Sequence, residues 1–191
     1  MSIKAPVGCK IRSLRESKNI DIEILAERSQ LTIEQLSSIE EGAPLPGLAP
    51  LIRIARALGV RLGTFLDDSQ KLGPVVCRNA ECGESVNFSN HSLRKNLNMV
   101  YHTLSEGKEN RHLEPFIIDI LPDSDQSYIF SSHEGEEFIY VLEGKVEINY
   151  GKNVYVLEAG DSIHYDSIVN HHVHGFNHNK ARILAVVYAP I

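Results

Sequence analysis

Apolar residues in the first third of the chain recur every three or four positions, the spacing of one buried helix face. The segment "VGCKIRSLRESKN" carries such a stripe, and "LAPLIRIARALG" carries a second one that ends at Gly59. Between them, Thr32 followed by Gln35 has the spacing of a capping box and opens the helix "IEQLSSIEEG". With Asp21 as the cap of "IEILAERS" and a last turn in "RLGTFLDD", the pattern predicts five helices within residues 1–68.

From about residue 96 the apolar positions alternate with a period of two, which is typical of half-buried strands. In "KVEINY" the side chains of Val146, Ile148 and Tyr150 alternate with polar ones, and the turn "GKN" leads into "VYVLEAGD". The segment "RILAVVYAPI" is predicted as a closing strand. Many short strands without helices predict a sandwich or barrel over residues 96–191.

The segment between these two regions, residues 69–95, mixes Gly, Ser and Asn and is interpreted as a linker. One short strand is expected within it, at Val75–Val76. The chain is therefore predicted to be an α + β protein of two domains, with all helices before all strands.

Composition and charge narrow the class of protein. Hydrophobic residues make up 42% and charged residues 23% of the 191 positions, as in ordinary globular proteins. No apolar run reaches the roughly 18 residues of a membrane span, and no secretion signal is visible at the N-terminus. Three cysteines do not suit a disulfide framework, and Cys77 with Cys82 lacks the second pair of a zinc ribbon. We expect a cytoplasmic protein with reduced thiols and no membrane partner.

Charge is distributed unevenly. Residues 1–68 hold nine basic and nine acidic residues, whereas residues 69–191 hold ten and sixteen, which accounts for the net charge of −6. A neutral first domain followed by an acidic second one is a poor nonspecific binder of nucleic acid.

The run "LAERSQLT", "IEQLSSIEEG" and "LAPLIRIARALGV" resembles the helix-turn-helix of XRE (Cro/C1-type) regulators, whose domain has the five-helix, lambda-repressor-like fold. This resemblance implies that the third helix enters the major groove of operator DNA. The residues that it places at the DNA are Arg12, Arg28, Thr32, Glu34, Gln35 and Ser38. Further phosphate contacts are expected from Lys10, Arg15, Lys18 and Arg53.

The third helix departs from the usual pattern of a DNA-reading helix. It has no basic residue, ends in Glu40 and Glu41, and carries Gln30 where the turn normally has glycine. The alternative interpretation is a helical module kept for dimerisation or for binding a partner protein.

The second half resembles a cupin, a double-stranded β-helix or jelly-roll barrel. Its first motif is met by His133, Glu137 and Gly144, with Ser131 in the place of the first histidine. Its second motif is met by "EAGDSIHYDSIVNHHVH", which ends the pattern at His171. The resemblance also implies a homodimer, because cupins commonly pair.

The same three residues are favoured by strand periodicity. Glu137 shares a strand face with Ile139 and Val141, so its carboxylate begins a face that points into an apolar barrel and needs a partner. Together, His133, Glu137 and His171 form a two-His, one-carboxylate set that suits a divalent metal such as Fe, Mn, Ni or Zn. The alternative is a buried ion pair without metal.

Two further residues are candidates for the pocket. The alternation in "RHLEPFIIDI" places His112 on the face that points inward, and Tyr165 follows the "GD" turn of the second motif. Both are predicted to border a ligand; the alternative for His112 is a purely structural role at the end of a strand.

Two functions follow from these resemblances. In the first, the helices bind operator DNA and the barrel senses a small-molecule effector, with or without a metal. In the second, the chain resembles fosfomycin-type epoxidases, which have the same domain order and use two histidines and one glutamate for iron. The first is preferred, because no lysine or tyrosine set for a phosphonate substrate is identifiable.

Overall fold

A computed structural model describes most of the chain, in the ranges 6–43, 47–66, 72–78, 86–88, 99–109, 111–122 and 129–190. Within these ranges, five α-helices are followed by nine β-strands, with one 3-10 turn before the last strand. The predicted order of an all-helical domain and an all-β domain is thereby confirmed. Residue Cys82 lies outside the described residues.

The helices form the first domain. Their bounds are α1 Val7–Ser17, α2 Ile22–Ser29, α3 Ile33–Glu40, α4 Leu48–Ala57 and α5 Gly63–Leu66. The capping box predicted for α3 is present, since the Thr32 hydroxyl accepts from the Gln35 backbone and the Gln35 side chain accepts from the Thr32 backbone. The core is apolar and fully buried at Ile11, Leu25, Leu36 and Leu51.

The turn between α2 and α3 contains a non-glycine residue in the left-handed conformation. Gln30 has φ 56° and ψ 40°, the left-handed conformation that glycine adopts more easily at this position of the turn. Its N–H bonds to the carbonyl of Glu27, and that of Leu31 bonds to Ala26, so the turn's backbone is held despite the strain.

Helices α1 and α3 are joined by a close approach and by an ion pair. A Cβ on Gly8 would lie 2.0 Å from the carbonyl oxygen of Ile39, so only glycine allows this packing. Beside it, Arg15 donates to both carboxylate oxygens of Glu40, at 2.7 and 2.8 Å. Glu40 is buried and Arg12 also contacts it, at 3.3 Å, which fixes α3 to α1.

The strands form two antiparallel sheets. Their bounds are β1 Val86–Phe88, β2 Met99–Thr103, β3 Leu113–Ile120, β4 Glu136–Glu143, β5 Lys145–Tyr150, β6 Asn153–Glu158, β7 Ser162–Asp166, β8 His171–Gly175 and β9 Ala181–Tyr188. One sheet has the order β1-β2-β3-β9-β4-β7 and the other β6-β5-β8. This arrangement is the cupin barrel expected from the sequence. The strand within the linker forms at Val86–Phe88, whereas Val75–Val76 is not in a strand.

Strand β4 alternates as predicted. Ile139 and Val141 are buried inside the barrel, while Tyr140 and Leu142 are exposed on the outer face. The position of Glu137 on this strand therefore directs its carboxylate inward, toward the apolar interior.

The helical domain contacts the open end of the barrel through α4. The Arg53 guanidinium donates to the carbonyl of Ser29, at the end of α2, and to that of Ser132 in the barrel, both at 2.9 Å. One turn later, Arg56 pairs with Glu134. Both barrel residues flank His133, so α4 is attached to the segment that carries a candidate metal ligand.

Candidate metal centre

Three elements bring the candidate ligands together. His133 precedes β4, Glu137 is its second residue, and His171 begins β8. A reciprocal backbone pair between Ser131 and His171, at 2.8 and 2.9 Å, joins the segments that carry the two motifs. The residues are 38 positions apart from first to last in sequence, yet one bridge of the barrel makes them neighbours.

The three side chains form a compact, buried cluster. Glu137 Oε1 lies 2.7 Å from His133 Nε2 and 3.5 Å from His171 Nε2. One ligand atom from each residue falls within 4.8 Å of the others, and both histidines are only 4% exposed. This spacing is the one in which three protein atoms can share one ion.

The far nitrogen of each imidazole is held by the backbone. His133 Nδ1 lies 3.0 Å from the carbonyl of Glu134, and His171 Nδ1 lies 2.8 Å from that of Val169. Because a carbonyl only accepts, each Nδ1 carries the hydrogen and each Nε2 faces the centre. This orientation is what metal-ligating histidines normally have, so the residues present fit a divalent metal.

Electrostatics in the cluster favour a charged carboxylate. Burial by itself raises the pKa of Glu137, but hydrogen bonds from His133 and His171 outweigh it and the pKa lies well below its ordinary range. Burial lowers the pKa of His171, but the hydrogen bond and charge of Glu137 outweigh that effect and raise it. Without a metal, the same contacts describe a buried imidazolium–carboxylate pair.

Tyr165 completes the surroundings of the carboxylate. Its hydroxyl donates to Glu137 Oε2 at 2.8 Å, leaving Oε1 to face the histidines. Burial, followed by the negative charge of Glu137, raises the pKa of Tyr165 well above normal, so it remains a donor. The sequence predicted that Tyr165 borders a bound small molecule; in the structure its hydroxyl contacts Glu137, a candidate metal ligand.

The cluster opens into a narrow cavity of about 60 Å³. Its wall combines the three ligands and Ser131 with apolar side chains of the barrel, and the N-terminal turn of α4 contributes Gly47, Leu48 and Ala49. The helical domain thus forms part of the cavity wall. Sequence patterns did not indicate this part of the wall, because α4 and the barrel are distant along the chain.

The expectation for His112 requires correction. His112 is exposed and lies immediately before β3, whose first residue is Leu113. The inward alternation begins only at Glu114 and continues at Phe116, so His112 does not belong to it. Tyr101, which lines the cavity from β2, was missed, although the alternation of Met99, Tyr101 and Thr103 carries the signal.

The residues predicted to meet DNA fall into three groups. Glu34 and Ser38 are exposed on α3, and Arg28 is exposed near the end of α2. By contrast, the polar groups of Thr32 and Gln35 bond to each other's backbone, at 3.2 and 2.9 Å, as the helix cap.

The remaining predicted contact, Arg12, bonds to Glu40 and its side chain is 44% exposed. Arg15 and Arg53 are more strongly committed inside the protein, to Glu40 and to backbone carbonyls respectively. The exposed face of α3 carries Glu34 and Ser38 but no basic residue.

The fold and the site together define a two-domain protein, a five-helix domain followed by a double-sheet β-barrel with a candidate divalent-metal site. Residues 11–65 match the helix-turn-helix family model, and residues 116–187 match the cupin domain model. No described helix is both long and apolar enough to cross a membrane.

Known relatives include both an enzyme and a regulator. The chain is 29% identical over 190 residues to (S)-2-hydroxypropylphosphonic acid epoxidase of Streptomyces wedmorensis, covering 92% of each chain. It is 24% identical over 183 residues to the HTH-type transcriptional regulator PuuR of Escherichia coli, covering 95% of this chain and 92% of PuuR. A transcriptional regulator from Vibrio cholerae shares the fold with a TM-score of 0.68, at 24% identity over 97% and 96% of the two chains.

Proposed function

We propose that this protein is a DNA-binding transcription regulator whose cupin barrel senses a small-molecule effector at a divalent-metal site. The observation that carries the proposal is the attachment of the helix-turn-helix to the barrel. Helix α4 lines the metal cavity at Gly47–Ala49 and bonds through Arg53 to both Ser29 and Ser132. A ligand in the cavity therefore touches the domain that would bind operator DNA.

The DNA-binding surface consists of the exposed face of α3 and the cations around it. Glu34 is suited to accept from the cytosine N4 amine, and Ser38 can pair with either type of base. Arg28 and Arg12 would contact phosphates through their exposed side chains, while Thr32 and Gln35 hold the helix cap. The affinity of this surface will depend on few phosphate contacts, since α3 has no basic residue.

The metal site would be formed by His133, Glu137 and His171, with coordination positions left for the effector. A divalent ion there supplies Lewis acidity and a fixed positive charge that attracts an anionic or oxygen-bearing group. Tyr165 orients the carboxylate, and the apolar wall excludes bulk water. The narrow cavity favours a small effector.

The active form is a cytoplasmic homodimer. The outer face of β4 exposes Tyr140 and Leu142, which a second subunit would cover. A dimer also matches the two half-sites that helix-turn-helix proteins read on a palindromic operator.

DNA binding is tested by gel-shift titration with a fragment of the protein's own upstream region, in low and high salt. The expected result is a salt-sensitive complex at or below micromolar protein, weakened in Glu34→Ala and unchanged in Lys152→Gln, a turn residue of the barrel. Absence of any complex at micromolar protein, with metal bound, would argue against the regulator.

The second candidate is a metal-dependent epoxidase in which the helices do not bind DNA. It is favoured by the full-length similarity to the Streptomyces epoxidase, together with the two-His, one-Glu set. The discriminating assay supplies Fe(II), an oxidant and (S)-2-hydroxypropylphosphonic acid, and follows the phosphorus NMR spectrum. Turnover that is lost in Glu137→Gln would establish the enzyme.

A further inference from the structure

We propose that the cleft between the two domains, outside the metal cavity, is a binding site for a small anionic ligand with a carboxylate or phosphate group. The cleft is open to solvent, has a volume of about 510 Å³ and is lined on one side by α2, the following turn and α4. Its other side is the barrel segment that contains His133 and Glu134.

Charge is the first argument. Among the described residues that line the cleft, three carry guanidinium groups, Arg28, Arg53 and Arg56, and one, Glu134, carries a carboxylate. These residues give the described lining an excess of two positive charges, in a chain whose net charge is −6. In such a concave and partly desolvated setting, an anion is attracted far more strongly than on open surface.

Geometry is the second argument. Arg53 is fixed by two carbonyl oxygens at 2.9 Å, and Arg56 is tied to Glu134, so both guanidinium groups are held before a ligand arrives. Burial lowers the pKa of Arg53 from its very high ordinary value, as expected where solvent is excluded. Planar guanidinium groups match the two oxygens of a carboxylate or phosphate.

The cleft also borders the metal cavity and the turn of the helix-turn-helix. His133 lines both the cleft and the metal cavity, and Gln30 of the helix-turn-helix turn lines the cleft. An anion bound here would contact both the segment that carries His133 and the turn that positions α3. This regulatory consequence rests on the proposed function, whereas the binding itself does not.

Binding is tested by isothermal titration of the full-length protein with inorganic phosphate and, separately, with succinate. Sodium chloride at matched ionic strength serves as the control titrant. We expect saturable one-site binding of at least one probe. Arg28→Gln should weaken it about tenfold, because it removes one charged donor from an exposed position. Lys152→Gln removes an equal charge far from the cleft and should leave binding unchanged.

The outcomes distinguish a site for a small anion from a site for DNA phosphates. They also distinguish failure of this site from failure of the proposed regulator. Absence of saturable binding by both probes, or equal loss in Arg28→Gln and Lys152→Gln, would overturn the site. If Arg28→Gln instead weakens only the DNA complex and neither probe binds, the arginines serve DNA phosphates and the small-ligand site is wrong. If phosphate binding depends on Arg28 and the protein forms no DNA complex, the anion site is supported and the proposed regulator function is wrong.

Discussion

At the residue scale, the two oxygens of Glu137 have different tasks. Oε1 faces the imidazole nitrogens of His133 and His171, and Oε2 accepts from Tyr165. The tyrosine fixes the rotation of the carboxylate about its last bond, and so determines which lone pair points at the centre. Outer hydrogen bonds of this kind tune metal affinity without touching the ion.

Tyr165→Phe is therefore expected to weaken divalent-metal affinity by about 10- to 100-fold while leaving the fold intact. Affinity is measured by competition with a chelator of known strength. Tyr150→Phe is the matched control, because its ring lies 5.2 Å from that of Tyr165 but its hydroxyl donates to the carbonyl of Asp166. Equal affinity in wild type and Tyr165→Phe would show that the tyrosine does not position the carboxylate.

At the element scale, α3 is stabilised by its own buried carboxylate, that of Glu40. Glu40 lies at the end of α3, where a negative charge is unfavourable toward the helix dipole. Its contacts with Arg15 and Arg12 offset that cost and bind α3 to α1. Burial raises the pKa of Glu40, but these two arginines outweigh it and the pKa is lowered.

The stability of this domain should therefore depend on pH in the acid range. Because the folded pKa lies below the unfolded value of about 4.3, the native state binds fewer protons. Its stabilisation is complete above that value and is lost as the pH falls through the folded pKa. Glu40→Gln should cost about 2 kcal/mol at pH 7, less than a fully buried pair because Arg15 and Arg12 reach solvent.

The measurement is urea denaturation of wild type and Glu40→Gln from pH 3 to pH 7, with the neighbouring exposed Glu41→Gln as control. The gap between wild type and Glu40→Gln should narrow as the pH falls below 4.3, and Glu41→Gln should follow wild type. A gap that stays constant with pH would contradict the role given to the Glu40 charge.

Elements that depend on local sequence were predictable, and contacts between distant segments were not. The capping box of Thr32 and Gln35 and the inward side of Glu137 follow from spacing alone, and both are seen. The failure at His112 came from a strand that begins one residue later than the alternation implied. Glu40 was judged only as an acidic residue on α3, because its partners on α1 are 25 and 28 positions away.

At the scale of the whole molecule, Arg53 joins the domains. Its partners Ser29 and Ser132 are 24 and 79 positions away, one in each domain. No periodicity in the sequence marks such a residue, since its role depends on how two independently predictable domains meet. With Arg56, it fixes α4 against the segment that carries His133.

Arg53→Ala should loosen the contact between the domains by about 2 kcal/mol, the range for hydrogen bonds to a charged donor. Small-angle X-ray scattering should then show a larger radius of gyration and a broader distance distribution than wild type. Arg53→Lys, which cannot reach both carbonyls in the same planar geometry, is expected to fall between them. Identical scattering from all three proteins would show that other contacts hold the domains together.

The placement of Gly47–Ala49 in the cavity wall has a consequence for how this protein can evolve. A substitution at Leu48 that admits a different ligand also alters the packing of α4, because Leu48 is part of the buried core of the helical domain. In the proposed regulator, a change at Leu48 would therefore alter the cavity wall and the packing of the helical domain together. Exchanging only the barrel with that of a relative would leave a cavity wall made of mismatched parts. A functional chimaera should therefore take α4 and the barrel from the same protein.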